Sequence, residues 1–422
     1  MNEKPRIALI PDRAWWIIGE MGKQIAARFG GKYDFCFLPA GILARRPDLL
    51  KDVVASADVI HCLSDYDGIE LLSDHDRRKL PPIVTWFHHV TQWNANQQLA
   101  LEMSSALVAC TPGWKQLLEQ RVEGRIPITV VPHGVDADFF HRRKVRPSRF
   151  GIPPGRFVVG FLGNKGSDLD YGRKGTDVLL EVARKAAAAI PNFHLVMGGP
   201  GWDKEVQSLR AMGVSVSATG YLRKADLPAL YSALDVYLLT SRVEGGPVTI
   251  LEAMACETAV VSTRVGAVPR WIADGVNGYS ADVGDVDGLL AAIVALHGNP
   301  DRRADLVRQG RATAVAHSWG QMLAPLEAVY DDLIRARRAA GPPAPRPRWM
   351  NNPDALLRAS CAADALLNVY SRVRRRSLTL AKGLKLLREM LYGLSPADIA
   401  KGAAMIRRYE KTAPSPRPTQ PA

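Results

Sequence analysis

The sequence has few cysteines, no long apolar run and fewer acidic than basic side chains. Its five cysteines show no metal-ligand spacing, which is typical of buried thiols in a reducing compartment. No apolar run approaches the roughly 18 residues that span a bilayer, and the stretch Met1 to Ile7 lacks the pattern of a signal peptide. These absences predict a cytoplasmic protein without a membrane-spanning helix.

The net charge of +13 is concentrated at the C-terminal end. Residues 341–422 carry 15 basic and 5 acidic side chains, a balance of +10, which leaves +3 for the rest. A basic tail favours contact with an anionic surface, either a membrane or a nucleic acid. Its few aromatic residues are too widely spaced for a known RNA-binding module, so we expect no nucleic acid partner.

The stretch from Val236 to Thr263 reads as strand, loop, helix and strand. Residues 236–239 are an apolar, β-favouring run, and residues 240–246 supply hydroxyls, a carboxylate and two glycines. Pro247 suits the start of a helix. This places Glu244 just before a helix N-terminus, whose N–H groups attract phosphate, and Glu252 about two turns along. The alternative is an ordinary connection with two solvated glutamates.

The segment Glu244-Gly-Gly-Pro-Val-Thr-Ile-Leu-Glu252 resembles the signature of retaining glycosyltransferases of the GT-B fold, family 4 (glycosyl transferases group 1). The resemblance implies an α/β protein with two Rossmann-like domains facing a cleft, plus a C-terminal helical extension. The implied divisions are 1–150 for the acceptor domain, 151–316 for the nucleotide-sugar domain, 317–340 for a helix crossing back, and 341–422 for a Pro-rich linker and basic helical tail.

In the first half, the resemblance implies two site residues and a hinge. Gly19 lies in the first predicted βα loop, where such enzymes receive the acceptor. His88 follows a predicted strand at its carboxyl end, where ligands gather in open α/β sheets, and would face the donor sugar. The run Val-Pro-His133-Gly-Val-Asp resembles the family's connection between domains, with histidine in place of asparagine.

In the second half, the resemblance implies a donor-binding set. Lys174 begins a Lys-Gly-x-Asp motif and would place its charge against a diphosphate. The family's arginine after the glycine of an earlier loop is replaced here by Asn164, so Lys165 or Arg173 would supply the missing charge. The other implied donor-binding residues are Gly163, Asn164, Tyr221, Gly246, Pro247 and Val248.

The implied reaction is transfer of a hexose with retention from a UDP- or GDP-linked sugar, used as a substrate, to a cell-surface glycan or lipid-linked glycan precursor. Glu244 would hold the donor sugar, Glu252 the ribose and Lys174 the diphosphate, with His88 contacting the sugar from the opposite domain. The resemblance implies no cofactor and no bound metal, and the Asp-x-Asp triplets in the sequence are expected by chance among 42 acidic residues. Two alternatives are a sugar-nucleotide epimerase of the same fold and a catalytically idle binding module with a basic tail.

The sequence of the tail predicts helices after a Pro-rich linker. A leucine stripe from Leu380 to Leu394 has basic side chains beside it, which suits a helix lying on an anionic membrane. We therefore consider peripheral contact with the inner membrane face through residues 370–394. The alternative, favoured by the usual role of leucine stripes, is packing against the first domain or a second subunit.

Overall fold

The chain forms two parallel β-sheets. The structure, a computed structural model, describes residues 3–89, 93–165, 172–374, 387 and 394–410. Its strands are Arg6–Ile10 (β1), Asp34–Phe37 (β2), Val59–Cys62 (β3), Ile83–Phe87 (β4), Ala106–Ala109 (β5), Ile128–Val130 (β6), Phe157–Leu162 (β7), Phe193–Gly198 (β8), Val216–Gly220 (β9), Val236–Leu239 (β10), Ala259–Thr263 (β11) and Tyr279–Ala281 (β12). Among the described residues each sheet has six strands, in the orders β2-β1-β3-β4-β5-β6 and β12-β11-β10-β7-β8-β9.

Helices connect the strands and cover both faces of each sheet. In the first domain they are Ile17–Phe29 (α1), Ala40–Leu43 (α2), Pro47–Ser56 (α3), Asp67–Leu72 (α4), Ala95–Met103 (α5) and Pro112–Val122 (α6). In the second they are Thr176–Ala189 (α7), Asp203–Ala211 (α8), Leu227–Ser232 (α9), Val248–Ala255 (α10), Val268–Trp271 (α11), Val286–Gly298 (α12) and Pro300–Ala316 (α13). The predicted α/β class with two Rossmann-like sheets is confirmed.

Strand β10 shows why the second sheet is buried on both sides. Val236 and Leu238 join a core with helix α7, while Tyr237 and Leu239 join a core with helix α10. All four side chains are almost fully buried. A strand covered by helices on both faces reads as a continuous apolar run, which is the pattern seen in the sequence.

The chain returns to the first domain after α13 through Trp319–Met322 (α14) and Ala324–Ala339 (α15). On α15, the Tyr330 hydroxyl lies 2.7 Å from Nδ1 of His61 on β3. Arg338 donates from Nε to the buried Asp58 carboxylate at 2.7 Å. These contacts fasten the end of the two-domain body to the first sheet.

The C-terminal extension packs against the first domain. Its described helices are Pro353–Arg374 (α16) and Pro396–Glu410 (α17). Leu356, Ala363 and Leu367 of α16 belong to the same buried cluster as strands β1 and β3. Oδ2 of Asp364 accepts a hydrogen bond from the backbone N–H of Ala14 at 2.6 Å. The extension is therefore a packed part of the first domain over these residues.

The proposed membrane segment lies largely outside the described residues. Of the leucine stripe, only Leu387 and Leu394 are described, so the choice between membrane contact and packing stays open for that segment. None of the described helices is both long and apolar enough to cross a membrane.

Candidate functional site

A cavity of about 430 Å³ lies between the two domains. Its first-domain wall carries Trp15, Trp16 and Tyr66, and its second-domain wall is more charged. Because the strands are parallel, their carboxyl ends point to the same side, where ligands of open α/β sheets bind. Of the residues predicted from the sequence, eight line this cavity: Glu244, His88, Lys174, Glu252, Gly246, Pro247, Val248 and Tyr221.

Glu244 is held by cations on the second-domain wall. Its Oε1 accepts hydrogen bonds from Lys174 Nζ at 2.6 Å, from Ser241 Oγ at 2.9 Å and from Arg173 Nη1 at 3.3 Å. The side chain is 11% exposed. Burial alone would raise the pKa of Glu244, but the charges of Lys174 and Arg173 outweigh it and hold the pKa below its ordinary value. The Glu244 carboxylate is therefore ionised and forms ion pairs with both Lys174 and Arg173.

The start of helix α7 brings those cations to the loop after β10. Gly175 has φ = +60°, and a Cβ there would lie 2.0 Å from the carbonyl oxygen of Thr240. Thr240 Oγ1 in turn donates to the carbonyl of Lys174 at 3.0 Å. Only glycine permits this approach with a left-handed backbone. This close contact and the left-handed backbone are the reason why the Lys-Gly motif has a glycine at position 175.

Arg173, rather than Lys165, stands beside Lys174. Lys165 Nζ pairs with Glu205 at 2.6 Å on helix α8, and it is not among the described residues that line the cavity. Arg173 lines the cavity and contacts Glu244. Of the two alternatives for the missing charge, the geometry therefore favours Arg173.

Glu252 is a buried carboxyl group on helix α10. Its Oε2 accepts a hydrogen bond from the Tyr231 hydroxyl at 2.7 Å. Burial raises the pKa of Glu252 to about 7, against the lowering effect of the Tyr231 bond and of Lys224. The two glutamates of the motif therefore differ in charge near neutral pH, because only Glu244 has cations beside it.

His88 follows β4 and is tied to the second domain through His133. Nδ1 of His88 lies 2.9 Å from Nε2 of His133, and its Nε2 donates to the carbonyl of Leu63 at 2.7 Å. Nδ1 of His133 lies 2.7 Å from the carbonyl oxygen of Gly246. Both ring nitrogens of His88 are thus engaged by the protein, and a hydrogen bond to a sugar would have to replace one of these contacts.

Glycines let the loop after β10 reach these histidines. A Cβ on Gly245 would lie 1.8 Å from the carbonyl oxygen of His88, and one on Gly246 would lie 2.7 Å from Nδ1 of His133. Either contact is too short for a real side chain. The two glycines of the motif are therefore required where the domains meet.

Three predicted residues fall outside the cavity lining. Gly19 lies in the first turn of helix α1, which begins at Ile17, two residues before the predicted loop glycine. A Cβ on Gly19 would lie 2.3 Å from the carbonyl oxygen of Arg13, so the glycine serves close packing of the turn. Gly163 and Asn164 follow β7, where the Gly163 carbonyl accepts a hydrogen bond from Trp202 Nε1 at 2.9 Å. Among the residues that the structure describes, none of these three borders the cavity.

Part of the chain is similar to known proteins. Residues 156–299 match the model of the family Glycosyl transferases group 1. A D-inositol 3-phosphate glycosyltransferase of Segniliparus rotundus is 31% identical over 223 residues, covering 50% of this chain and 47% of the relative. A phosphatidyl-myo-inositol mannosyltransferase of Mycolicibacterium smegmatis is 29% identical over 208 residues, covering 49% and 52%. The chain thus spans about half the length of these relatives.

Solved structures resemble a larger share of the chain. Sucrose-phosphate synthase of Thermosynechococcus elongatus superposes with a TM-score of 0.63 at 17% identity, covering 79% of this chain and 100% of that one. Anabaena HepE in complex with UDP-glucose gives 0.62 at 18% identity, covering 77% and 99%. The chain has the GT-B fold. At these identities the likeness establishes the fold alone.

Sequence reasoning missed several residues of the GT-B cleft. Glu20 of α1 pairs with Lys224 of the second domain at 2.7 Å, and both line the cavity. Burial would raise the pKa of Glu20, but Lys23 and Lys224 hold it below its ordinary value. The ion pair joins the two domains at the edge of the cavity lining. No sequence motif identifies this ion pair, because an acidic and a basic residue on the solvated surface would look the same in the sequence.

No metal cluster is evident in the described part of the cleft or elsewhere in the described ranges. Within them, no three His, Cys, Asp or Glu side chains come together in a way that could hold a metal ion. Metal-independent transfer stays a prediction, as does the absence of a cofactor.

Proposed function

We propose that this protein transfers a sugar, with retention of configuration, from a nucleotide diphosphate donor to an acceptor hydroxyl. The observation that carries the proposal is the arrangement around Glu244. An ionised carboxylate, two cations and the start of helix α10 face one cavity between two Rossmann-like domains. Carboxylates accept sugar hydroxyls, whereas cations and a helix N-terminus stabilise phosphate charge.

The donor would lie along the second-domain wall. Its diphosphate would meet Lys174 and Arg173, its sugar hydroxyls Glu244, and its ribose Glu252. Tyr221, which follows β9 and lines the cavity, would lie beside the base. Departure of the diphosphate places negative charge on its oxygens, and fixed cations in a closed cleft stabilise that charge most in the transition state.

The acceptor would approach from the first-domain wall. Trp16 and Tyr66 are each 38% exposed and line the cavity, and such rings suit the apolar face of a sugar or cyclitol. Relatives named for inositol-containing acceptors support a polyol acceptor. We therefore propose that the acceptor is a glycan or lipid-linked glycan precursor that contains a polyol.

Calorimetry with a panel of UDP-, GDP- and ADP-sugars tests the donor assignment. We expect one nucleotide series to bind clearly more tightly than the others, and we expect release of the nucleoside diphosphate once an acceptor is supplied. NMR of the product would show the anomeric configuration of the donor retained. Absence of binding by all three series would contradict the proposal.

The two alternatives give different products from the same assay. An epimerase would convert the donor into a second free sugar nucleotide without any acceptor. An idle binding module would leave every donor intact, so donor hydrolysis without acceptor would already exclude it. Chromatography of the nucleotides after the reaction therefore distinguishes the three functions.

A further inference from the structure

The imidazoles of His88 and His133 form a hydrogen-bonded chain between two backbone carbonyls. The chain runs from the Leu63 carbonyl to Nε2 of His88 at 2.7 Å, then from Nδ1 of His88 to Nε2 of His133 at 2.9 Å. It ends with Nδ1 of His133 at 2.7 Å from the Gly246 carbonyl. It therefore joins the first domain to the loop that bears Glu244.

Counting hydrogen atoms shows that the His88–His133 pair carries a positive charge when all three of its hydrogen bonds are made. A carbonyl oxygen can only accept, so Nε2 of His88 and Nδ1 of His133 must each carry a hydrogen. The contact between the two rings needs a third hydrogen. Two neutral imidazoles carry only two, so in the neutral pair the bare nitrogens at the centre face each other at 2.9 Å. One added proton satisfies all three contacts and gives the pair a charge of +1.

Burial favours the neutral pair. The residues His88 and His133 are 7% and 6% exposed. Burial lowers the pKa of His133 to about 4 and the pKa of His88 well below its ordinary value. His89 adds to the lowering at both rings, and His61 adds to it at His88. The remaining hydrogen bond then has no proton to complete it.

Other groups packed around the pair favour its charged form or are neutral. Trp86 stacks on His88 with ring centroids 5.5 Å apart, and an indole face attracts a cation. Trp319 lies 6.3 Å from His133. The Cys110 thiol donates to the His88 carbonyl at 2.8 Å, and burial raises the pKa of Cys110, so it adds no charge. The negative charge of Glu244 raises the pKa of His133.

Donor binding changes the charge beside the pair. Lys174 and Arg173 form ion pairs with Glu244. A diphosphate that pairs with those two cations brings negative charge into the cavity and leaves less positive charge for Glu244. Both changes favour a proton on His133.

We propose that His133 is a positioning residue, which with His88 takes up one proton as an anionic donor binds and thereby fastens the Gly245–Gly246 loop to the first domain. The inference rests on the proposed donor. The shared proton completes the bond between His88 and His133 on the first-domain side. It also gives His133 a positive charge, which strengthens the hydrogen bond that Nδ1 of His133 donates to the Gly246 carbonyl across the cleft. The asparagine that the resembling family carries at this position could bridge the domains but could not take up a proton.

Calorimetry in two buffers of unlike ionisation enthalpy measures this proton directly. The probe is UDP-glucose, with GDP-mannose as the second ligand, at pH 6.5. Their diphosphates are esterified at both ends and do not titrate there, so any proton taken up belongs to the protein. We expect uptake of about one proton by the wild type.

Matched variants assign the proton to the pair. His133→Asn should bind the ligand with an uptake lower than that of the wild type by about one proton. His297→Gln, which alters a histidine bonded to Asn192 on the far side of the second domain, should keep the wild-type uptake. Binding without proton uptake by the wild type, or undiminished uptake by His133→Asn, would overturn this inference and leave the proposed function intact. Failure of both ligands to bind would overturn the donor assignment and this inference with it.

Discussion

At the residue scale, the two glutamates of one motif have opposite electrostatic settings. Glu244 has two cations within 3.3 Å, whereas Glu252 has only the Tyr231 hydroxyl. Sequence spacing alone cannot distinguish them, because both are glutamates on the same loop and helix. Glu244 is therefore the carboxylate that carries the charge, whereas Glu252 is a carboxyl group that is protonated below about pH 7.

Lys174 is expected to act on the phosphates through its charge. Lys174→Ala should weaken UDP binding about tenfold or more, the usual effect of losing a charged hydrogen bond, with a much smaller effect on UMP. Isothermal titration with both nucleotides measures this, or with GDP and GMP if those bind better. Lys165→Ala is the matched control, since Lys165 pairs with Glu205. A larger effect of the control on the diphosphate would move the assignment to Lys165.

Glu252 should make stability depend on pH. Its pKa in the folded protein, about 7, exceeds the ordinary value of 4.5, so the folded state holds a proton that the unfolded state releases. Stability therefore falls as pH rises from about 4.5 to about 7, by roughly 3 kcal/mol. Glu252→Gln removes this dependence while its amide oxygen can still accept from Tyr231. Urea denaturation at pH 5 and pH 8 should show the variant gaining on the wild type at the higher pH. An equal difference at both values would refute the raised pKa.

At the scale of elements, the loop between β10 and α10 is held by backbone contacts with the first domain and with the loop after β11. Gly245 meets the His88 carbonyl, and Gly266, with φ = +53°, has room only for hydrogen where it meets the carbonyl of Gly245. Gly245→Ala should displace the loop and lower kcat/KM about a hundredfold, the cost of misplacing a catalytic group by about 1 Å. Gly31→Ala, with nothing within 4 Å of the new Cβ, is the control. Steady-state kinetics with matched thermal unfolding would decide; wild-type kinetics for Gly245→Ala would contradict the contact.

The strands and the order of the second domain could be predicted from the sequence, whereas the cleft could not be predicted in detail. Val236–Leu239 is a continuous apolar run, and such runs identify buried parallel strands directly. The family resemblance places Gly19 in the first βα loop, yet helix α1 already begins at Ile17. The pairing of His88 with His133 and the choice of Arg173 over Lys165 depend on contacts between distant segments. No local pattern encodes those contacts.

At the scale of the whole molecule, the extension completes the first domain. Met350, Leu356 and Leu367 share a buried cluster with the first sheet, and Trp349 Nε1 donates to Asp52 at 2.7 Å. Removing residues 347–422 should therefore expose apolar surface and give an insoluble protein or a lower unfolding temperature. Removing only residues 411–422 is the control, since it cuts none of these contacts.

The same truncation bears on the membrane hypothesis for residues 370–394. A soluble, folded remnant with an unchanged unfolding temperature would contradict the packing described for α16. If that remnant also failed to sediment with anionic vesicles that the full chain binds at moderate salt, membrane contact would be the supported role. Full-length protein that ignores such vesicles would exclude it.

The central claim is that Glu244 acts on the donor sugar in a cleft built for nucleotide diphosphates. The most direct test is the turnover number of Glu244→Gln with the donor that binds best in the nucleotide-sugar panel. We predict a fall in kcat of about a hundredfold, the cost of losing one interaction made in the transition state, with the unfolding temperature close to that of the wild type. Turnover near the wild-type value in a folded Glu244→Gln variant would contradict the claim.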